Sequence, residues 1–405
     1  MNAKIKIRNG EFIFFLYSFV LFITFLNFNN WGNYLLVLLL FISLFMMKKL
    51  FINSEIIFLT LYCVTYSALY IYNFGNGLLS PTVLSFLLLP IFSYYIGYAA
   101  ADICLKYNIK INVIIYILAA AFFIHGLLNM ISFSQSNAFS RELIDFWTQM
   151  PFKVTGQSMY YIILIGMLFY AFEAKSMSII TKLIIVIGNV LVILFSTLTS
   201  TRTPLFIMIF VFFLGVILYL YLNNANIKKI FFIILGVLAL AIGAYFLYTF
   251  NVGGIKELYE NSNLGQRMST LSESYKANDP RISAQIYVLT HLLDYPLGGC
   301  KLILPINEGT LERMEYAHSL WFDTAYRVGV IPFFFITIYT IIVATNIIKL
   351  IKNRSINNNI KYLLIPIVTA VFIQYALEPI MEGLIWMFLC GCFINGYIKR
   401  ISYTS

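Results

Sequence analysis

The sequence predicts an all-α, polytopic membrane protein with about twelve transmembrane helices and one large outer loop that carries short helices. Three observations predict it. The chain of 405 residues is 61% hydrophobic and only 11% charged, with a mean hydropathy of +0.85, whereas soluble domains run near a quarter charged. Apolar runs close to the roughly 20 residues needed to cross a hydrocarbon core recur along the chain. One polar stretch, 251–317, interrupts them with Lys256, Glu257, Glu260, Arg267, Glu273, Asp279, Arg281, Glu308, Glu312, Arg313 and Glu315, and it ends at His318.

Taken in order, the first span, 12–28, follows a basic start (Lys4, Lys6, Arg8) and is not followed by a small-residue cleavage site. It therefore reads as a retained helix rather than a signal peptide. Further spans fall at 34–47, 55–72, 82–101, 111–131, 158–172, 179–198, 204–222, 230–250, 328–348, 361–377 and 380–398, of which 34–47 and 158–172 are short. This gives helices one to nine over 1–250, the large loop over 251–318 and helices ten to twelve over 319–405, all in one integrated membrane domain. Too few polar residues remain for a second, soluble domain.

Charge sets the orientation. With both termini in the cytoplasm, the inner segments hold Lys4, Lys6, Arg8, Lys48, Lys49, Lys106, Lys110, Lys175, Lys182, Lys228, Lys229, Lys349, Lys352, Arg354, Lys361, Lys399 and Arg400. These are seventeen of the 27 basic residues, and thirteen of the 17 acidic ones fall on the other side. Both tallies obey the positive-inside rule and put the large loop outside, periplasmic or extracellular, with a shorter outer loop at 132–157. The net charge of +10 is thus a topology signal and not a nucleic-acid footprint. The cysteines Cys63, Cys104, Cys300, Cys390 and Cys392 offer neither a disulfide framework nor zinc spacing.

Three outer positions carry chemistry. In Ser200-Thr-Arg-Thr-Pro204, Thr203 suits a helix cap and Pro204 the first helical position. Arg202 then lies beside a helix N-terminus, an anion site in which guanidinium and backbone N–H groups converge. An interfacial arginine that snorkels to headgroups fits the same position. In Asp279-Pro280-Arg281, Asp279 caps and Pro280 opens a helix whose Ile282, Ile286, Leu289 and Leu293 form a stripe against the membrane or the bundle, and Pro296-Leu-Gly-Gly299 stops it. Arg281 falls in its first turn, where a surface arginine is the plain alternative. His318 stands where the loop returns to the membrane, and histidine is the usual general base near neutral pH, although a lone interfacial histidine also occurs for packing. Of the other histidines, His291 lies on the loop helix. His125 lies within a span with no obvious acidic partner, which favours helix packing.

These segments resemble the bacterial O-antigen ligase and polysaccharide polymerase family. Ser196-Thr-Leu-Thr-Ser-Thr-Arg202-Thr-Pro-Leu is similar to its T-x-S/T-R-x-x-L junction, Arg281 with Pro296-Leu297-Gly298-Gly299 to R-x14-P-[LF]-x-G, and His318 through Gly329-Val-Ile-Pro332 to H-N-x-x-L-x10-G-[IL]-[IL]. Ser319 stands where the family has Asn, and Gln285 where it has Trp four residues after the loop arginine. Arg267 is a rival for the loop-arginine role, but the Pro-Leu-Gly spacing favours Arg281.

The resemblance implies a GT-C-like, metal-independent glycosyltransferase of the inner membrane with no cofactor, acting on a glycan carried by undecaprenyl diphosphate. It implies that Arg202 and Arg281 bind the diphosphate and that His318 accepts the proton of the attacking hydroxyl. Glu378 and Glu382 are candidates for holding the acceptor sugar. The outer loops contain no Asp-x-Asp and no Glu/His pair at ligand spacing, in line with a metal-free reading. Expected partners are the lipid-linked oligosaccharide, membrane lipid and a chain-length regulator. Within the family, a repeat-unit polymerase is favoured over a ligase that moves glycan to lipid A core. A transporter or flippase is the alternative of a different class. It should carry mid-membrane charge or paired broken helices, whereas the distinctive residues here gather on one face.

Overall fold

In the computed structural model, several long helices are capped by polar side chains at their first turn. The structure describes residues 2–47, 52–135, 142–174, 177–223, 246, 249–260, 280–299, 303–307, 310–313, 317–378 and 384–392. The first helices are α1 (Asn2–Leu26), α2 (Gly32–Met47), α3 (Ser54–Phe74), α4 (Pro81–Lys106) and α5 (Asn112–Gln135). The side chain of Asn53 caps α3 by accepting from Ile56 N, and Gly75 ends it in the left-handed region. Ser80 caps α4, with Pro81 as its first residue. A hairpin of β1 (Glu142–Ile144) and β2 (Pro151–Lys153) then leads through a tight turn, 154–160, into α6 (Ile162–Gly166), α7 (Leu168–Glu173), α8 (Ile179–Leu198) and α9 (Thr203–Leu222).

The large loop holds α10 (Ile255–Glu260), α11 (Pro280–Thr290) and an antiparallel hairpin of β3 (Ile303–Asn307) and β4 (Thr310–Arg313). It leads to α12 (Leu320–Val328), α13 (Val330–Lys352), α14 (Asn358–Leu377) and α15 (Leu384–Leu389). The sequence predicts short helices in the large loop; the two hairpins add to them.

Among the described residues, seven helices are long and apolar enough to cross a membrane: α3, α4, α5, α8, α9, α13 and α14, while the apolar parts of α1 and α2 are shorter. The expected span at 230–250 lies almost wholly outside the described residues, and the one at 380–398 is described only over 384–392. The expected span at 158–172 is not one helix. It runs as the end of the 154–160 turn followed by α6 and α7, and all of 161–167 is buried. Packed against α8, α9 and α14, these residues meet protein on every side, so an apolar run here reflects the protein interior and not contact with lipid. Close approach is built in elsewhere too. A Cβ at Gly97 of α4 would strike the Phe388 carbonyl of α15, and one at Gly391 would strike the Tyr94 carbonyl, the small-residue packing that membrane helices favour.

Two buried charges sit near one end of the bundle. Lys361 is 2% exposed and its Nζ donates to the Ile351 carbonyl at 3.1 Å, serving the last turn of α13, where a cation is stabilised by the helix dipole. Glu55, in the first turn of α3, accepts from Tyr94 Oη at 3.0 Å and from Asn346 Nδ2, which joins α3 to α4 and α13.

Candidate functional site

Chain direction fixes which residues share an end of the bundle. α13 and α14 are antiparallel and meet at Lys361 and Ile351, so the start of α13 and the end of α14 lie together at the far end. α9 is antiparallel to α14 as well. Asn223 Nδ2, just past its C-terminus, donates to Tyr362 Oη at 2.8 Å, and Thr203 Oγ1 at its N-terminus donates to Glu378 Oε1 at 2.8 Å. Arg202, Glu378 and the His318 segment before α13 therefore share the end opposite Lys349, Lys352 and Lys361.

The first half of this end is the α8–α9 corner. Ser200 takes a left-handed conformation (φ 54), Thr201 N returns to the Ser196 carbonyl at 2.9 Å, and both residues are buried. Arg202, not Thr203, holds the cap position, and no side chain caps the helix. Thr203 is the first helical residue because its hydroxyl is engaged by Glu378. Glu378 is 1% exposed. Its carboxylate already faces the first turn of α9, where a negative charge is favoured.

The second half is the His318 turn. His318 is half-buried with φ 57, a left-handed conformation uncommon for a residue with a Cβ. The cause is Asp323 in the first turn of α12. Its Oδ1 accepts from Ala317 N at 2.6 Å and its Oδ2 from Ser319 N at 3.2 Å, a variant of the capping box that reaches one turn further back. Asp323 is fully buried. Burial pushes its carboxyl up to about 6, further than the two backbone N–H groups and the Arg327 charge pull it down.

α11 is joined to the same turn, since Gln285 Nε2 donates to the Ala317 carbonyl at 3.2 Å. Gln285 thus ties the loop helix to the residue next to His318. Arg281 is the second residue of α11. Asp279, Arg267, Glu382 and Cys300 lie outside the described residues.

The glycines of the two loop motifs meet each other. Gly298 (φ 82) and Gly329 (φ 86) are both left-handed. A Cβ at Gly329 would strike the Pro296 carbonyl, and one at Gly298 the Arg327 carbonyl. Gly299 N donates to Arg327 O and Val330 N to Pro296 O, both at 3.0 Å. Asn73, at the end of α3, donates to Leu297 O at 2.7 Å and to Arg327 O at 3.1 Å. The loop's Pro-Leu-Gly-Gly segment is therefore clamped onto the α12–α13 junction. The stripe of α11 faces neither: Ile282, Ile286, Leu289 and Leu293 are 51–80% exposed, while Val288, between them, packs with Ala325 of α12 and Ala317.

A further polar cluster fastens the smaller outer loop and corrects the reading of His125. His125 does have an acidic partner: its Nε2 is 2.7 Å from Asp145 Oδ2. Asp145 comes from the loop and not from a neighbouring span, which is why the pairing was invisible in helical spacing. Its Oδ1 also accepts from Trp147 N at 3.0 Å and Thr148 N at 2.9 Å. Burial alone would raise this carboxyl, but His125 and the backbone donors outweigh it and hold it at about 2. Asn129 accepts from Phe146 N and donates to Gln157, which reaches Gly126 O and Tyr161 Oη. Ser158 in turn accepts from Gln374 Nε2 at 2.5 Å, one turn before Glu378. His291 Nδ1 is within 3.0 Å of its own helix's Tyr287 carbonyl and Thr290 hydroxyl.

Sequence reasoning missed Asp323, Gln285 and Asp145. For Asp323 a signal existed, since an acidic residue in the first turn after a loop histidine reads as a cap. Among the described residues, no group of three or more His, Cys, Asp or Glu is placed to hold a metal ion. No protein-family model matches the chain, and no curated protein matches its sequence.

Proposed function

We propose that this chain is a metal-independent glycosyltransferase of the inner membrane that acts on glycans linked to undecaprenyl diphosphate, with its site at the outer end of the bundle. The repeat-unit polymerase reading is preferred to the ligase reading on the resemblance of the segment from His318 to Pro332. The observation that carries the proposal is the bond from Gln285 to Ala317. It joins the helix of Arg281 to the turn of His318, at the end of the bundle where Arg202 also lies.

In the reaction, His318 takes the proton of the attacking sugar hydroxyl, the hydroxyl oxygen bonds to the anomeric carbon, and the bond from that carbon to the diphosphate breaks. Arg202 and Arg281 hold the departing diphosphate and meet the charge that grows on it. Because Glu378 already occupies the first turn of α9, the guanidinium of Arg202, not the helix N-terminus, is the contact for the diphosphate. Glu378 then serves to hold that corner, in place of the acceptor-binding role suggested by sequence. The exposed α11 stripe, whose far end is tied through Leu297 to the end of α3, rests on the outer leaflet.

Glu55 is the observation a transporter would need, a buried carboxylate within a span. It lies in the first turn of α3 and is bonded to Tyr94 and Asn346, as a helix fastener would be. The test is elongation of lipid-linked repeat units by purified protein in nanodiscs. Arg202→Ala and His318→Ala should abolish polymer and leave single repeats. Full-length polymer from His318→Ala would refute the assignment. In a deletion strain, single repeats on the surface support a polymerase, and long polymer left on the lipid carrier supports a ligase.

A further inference from the structure

We infer that Asp323 is the positioning residue of the proposed base: its carboxylate holds the backbone on both sides of His318 and so aims the imidazole. This rests on the function proposed above. Three observations carry it. Both carboxylate oxygens are bonded to N–H groups that flank His318, at 2.6 and 3.2 Å. His318 itself sits at φ 57, a conformation uncommon for a residue with a Cβ. And Asp323 is fully buried in a helix fixed beneath the turn. Trp321 Nε1 bonds Thr340 of α13 at 2.9 Å and its ring packs on Phe372 of α14, while Thr324 meets Tyr62 of α3. The carboxylate is thereby held by three spans, and through it the turn is held too.

Near neutral pH the Asp323 carboxyl is ionised, although burial pushes it up to about 6. Only the ionised form offers both oxygens as acceptors to two N–H groups. The charged and titratable groups around it are Arg327 on its own helix, Tyr62 and Tyr66 on α3, and His318.

The test is Asp323→Asn in the full-length protein in nanodiscs. Turnover is read by elongation of lipid-linked glycan extracted from the host, and binding by titration with undecaprenyl diphosphate. Misplacing a reacting group by about an ångström lowers rate on the order of 100-fold. The expected result is that loss of turnover, with diphosphate affinity changed by less than about twofold and a melting temperature at pH 7.5 no lower than wild type, because the strained charge is gone. The double variant with His318→Ala should be no slower than His318→Ala alone, since both changes act through one group. Turnover within about threefold of wild type, affinity falling in step with turnover, or a double variant well below His318→Ala would each overturn the inference. If His318→Ala has no measurable rate, the split between turnover and affinity decides. Should the Asn variant not accumulate, Asp323→Glu is read by the same split and should retain more turnover than His318→Ala. Wild-type turnover in His318→Ala would sink the proposed function itself; an active Asp323→Asn beside an inactive His318→Ala would sink only the positioning role.

Discussion

The two outer loops each pair a histidine with an aspartate, and they do so in opposite ways. In the smaller loop, Asp145 contacts the His125 ring directly at 2.7 Å, and that ring is 1% exposed. In the larger, Asp323 bonds the backbone on either side of His318 and leaves the ring half-buried at the surface of the turn. The carboxyls respond accordingly. Asp145 is held at about 2 and Asp323 is raised to about 6. A direct His–Asp contact fastens a hairpin to a helix through the two side chains. A carboxylate that grips the backbone shapes a turn.

The largest expected effect separates the two histidines. His318→Ala should lower elongation on the order of 100-fold to 10,000-fold with little change in melting temperature. His125→Ala should do the reverse: it removes the side-chain partner of the buried Asp145 carboxylate, costing about 1–3 kcal/mol of stability, with turnover per folded molecule close to wild type. Equal loss of rate in both would erase the distinction.

Next, Gly329→Ala should destabilise the loop's return by at least about 2 kcal/mol. The new Cβ meets the Pro296 carbonyl and a left-handed backbone together, and earlier thermal unfolding is the readout.

pH sharpens the comparison because the two aspartates differ in sign. Asp145 has a folded-state value below its ordinary 3.8. Its contribution to stability is therefore present above about 4 and is lost as pH falls through about 2. Asp323 has a folded-state value above 3.8, so its contribution is fully present below about 4 and is lost as pH rises through about 6, a difference of roughly 3 kcal/mol. Protection from hydrogen exchange at Trp147 and Thr148, relative to free amides at the same pH, should fall towards pH 2. Melting of Asp323→Asn, by contrast, should lose the pH dependence that the wild type shows between 4 and 6.

The smallest effect is at the α8–α9 corner. Thr203→Val removes one hydrogen bond to Glu378 and should cost about 1 kcal/mol with a few-fold loss of rate. A loss as large as that of His318→Ala would move the chemistry to this corner.

Much of the bundle was legible because membrane helices announce themselves by length and their ends by capping chemistry. Asn53, Ser80 and Ser178 each cap a helix as a sequence reader would place them. The glycines at 298 and 329 were legible as motif elements but not as contacts, since nothing in the sequence says that two turns thirty residues apart share one docking. Thr203 misled because its hydroxyl had two uses, and the second partner, Glu378, lies far along the chain. His125 misled because helical periodicity can reveal a partner on a span and is blind to one on a loop. The 158–172 segment runs from the Glu378 end of the bundle to the Lys361 end, but hydropathy could not show that its helix is broken and sheltered by protein.

That last segment bears on how the chain is made. α6 and α7 are sheltered chiefly by α14, which leaves the ribosome much later. Until α14 arrives, the nascent chain must hold a short, broken apolar stretch without its principal neighbour. The order of synthesis therefore makes a late helix the shelter of the protein's middle, and a chain truncated before Asn358 would leave that stretch without its principal neighbour.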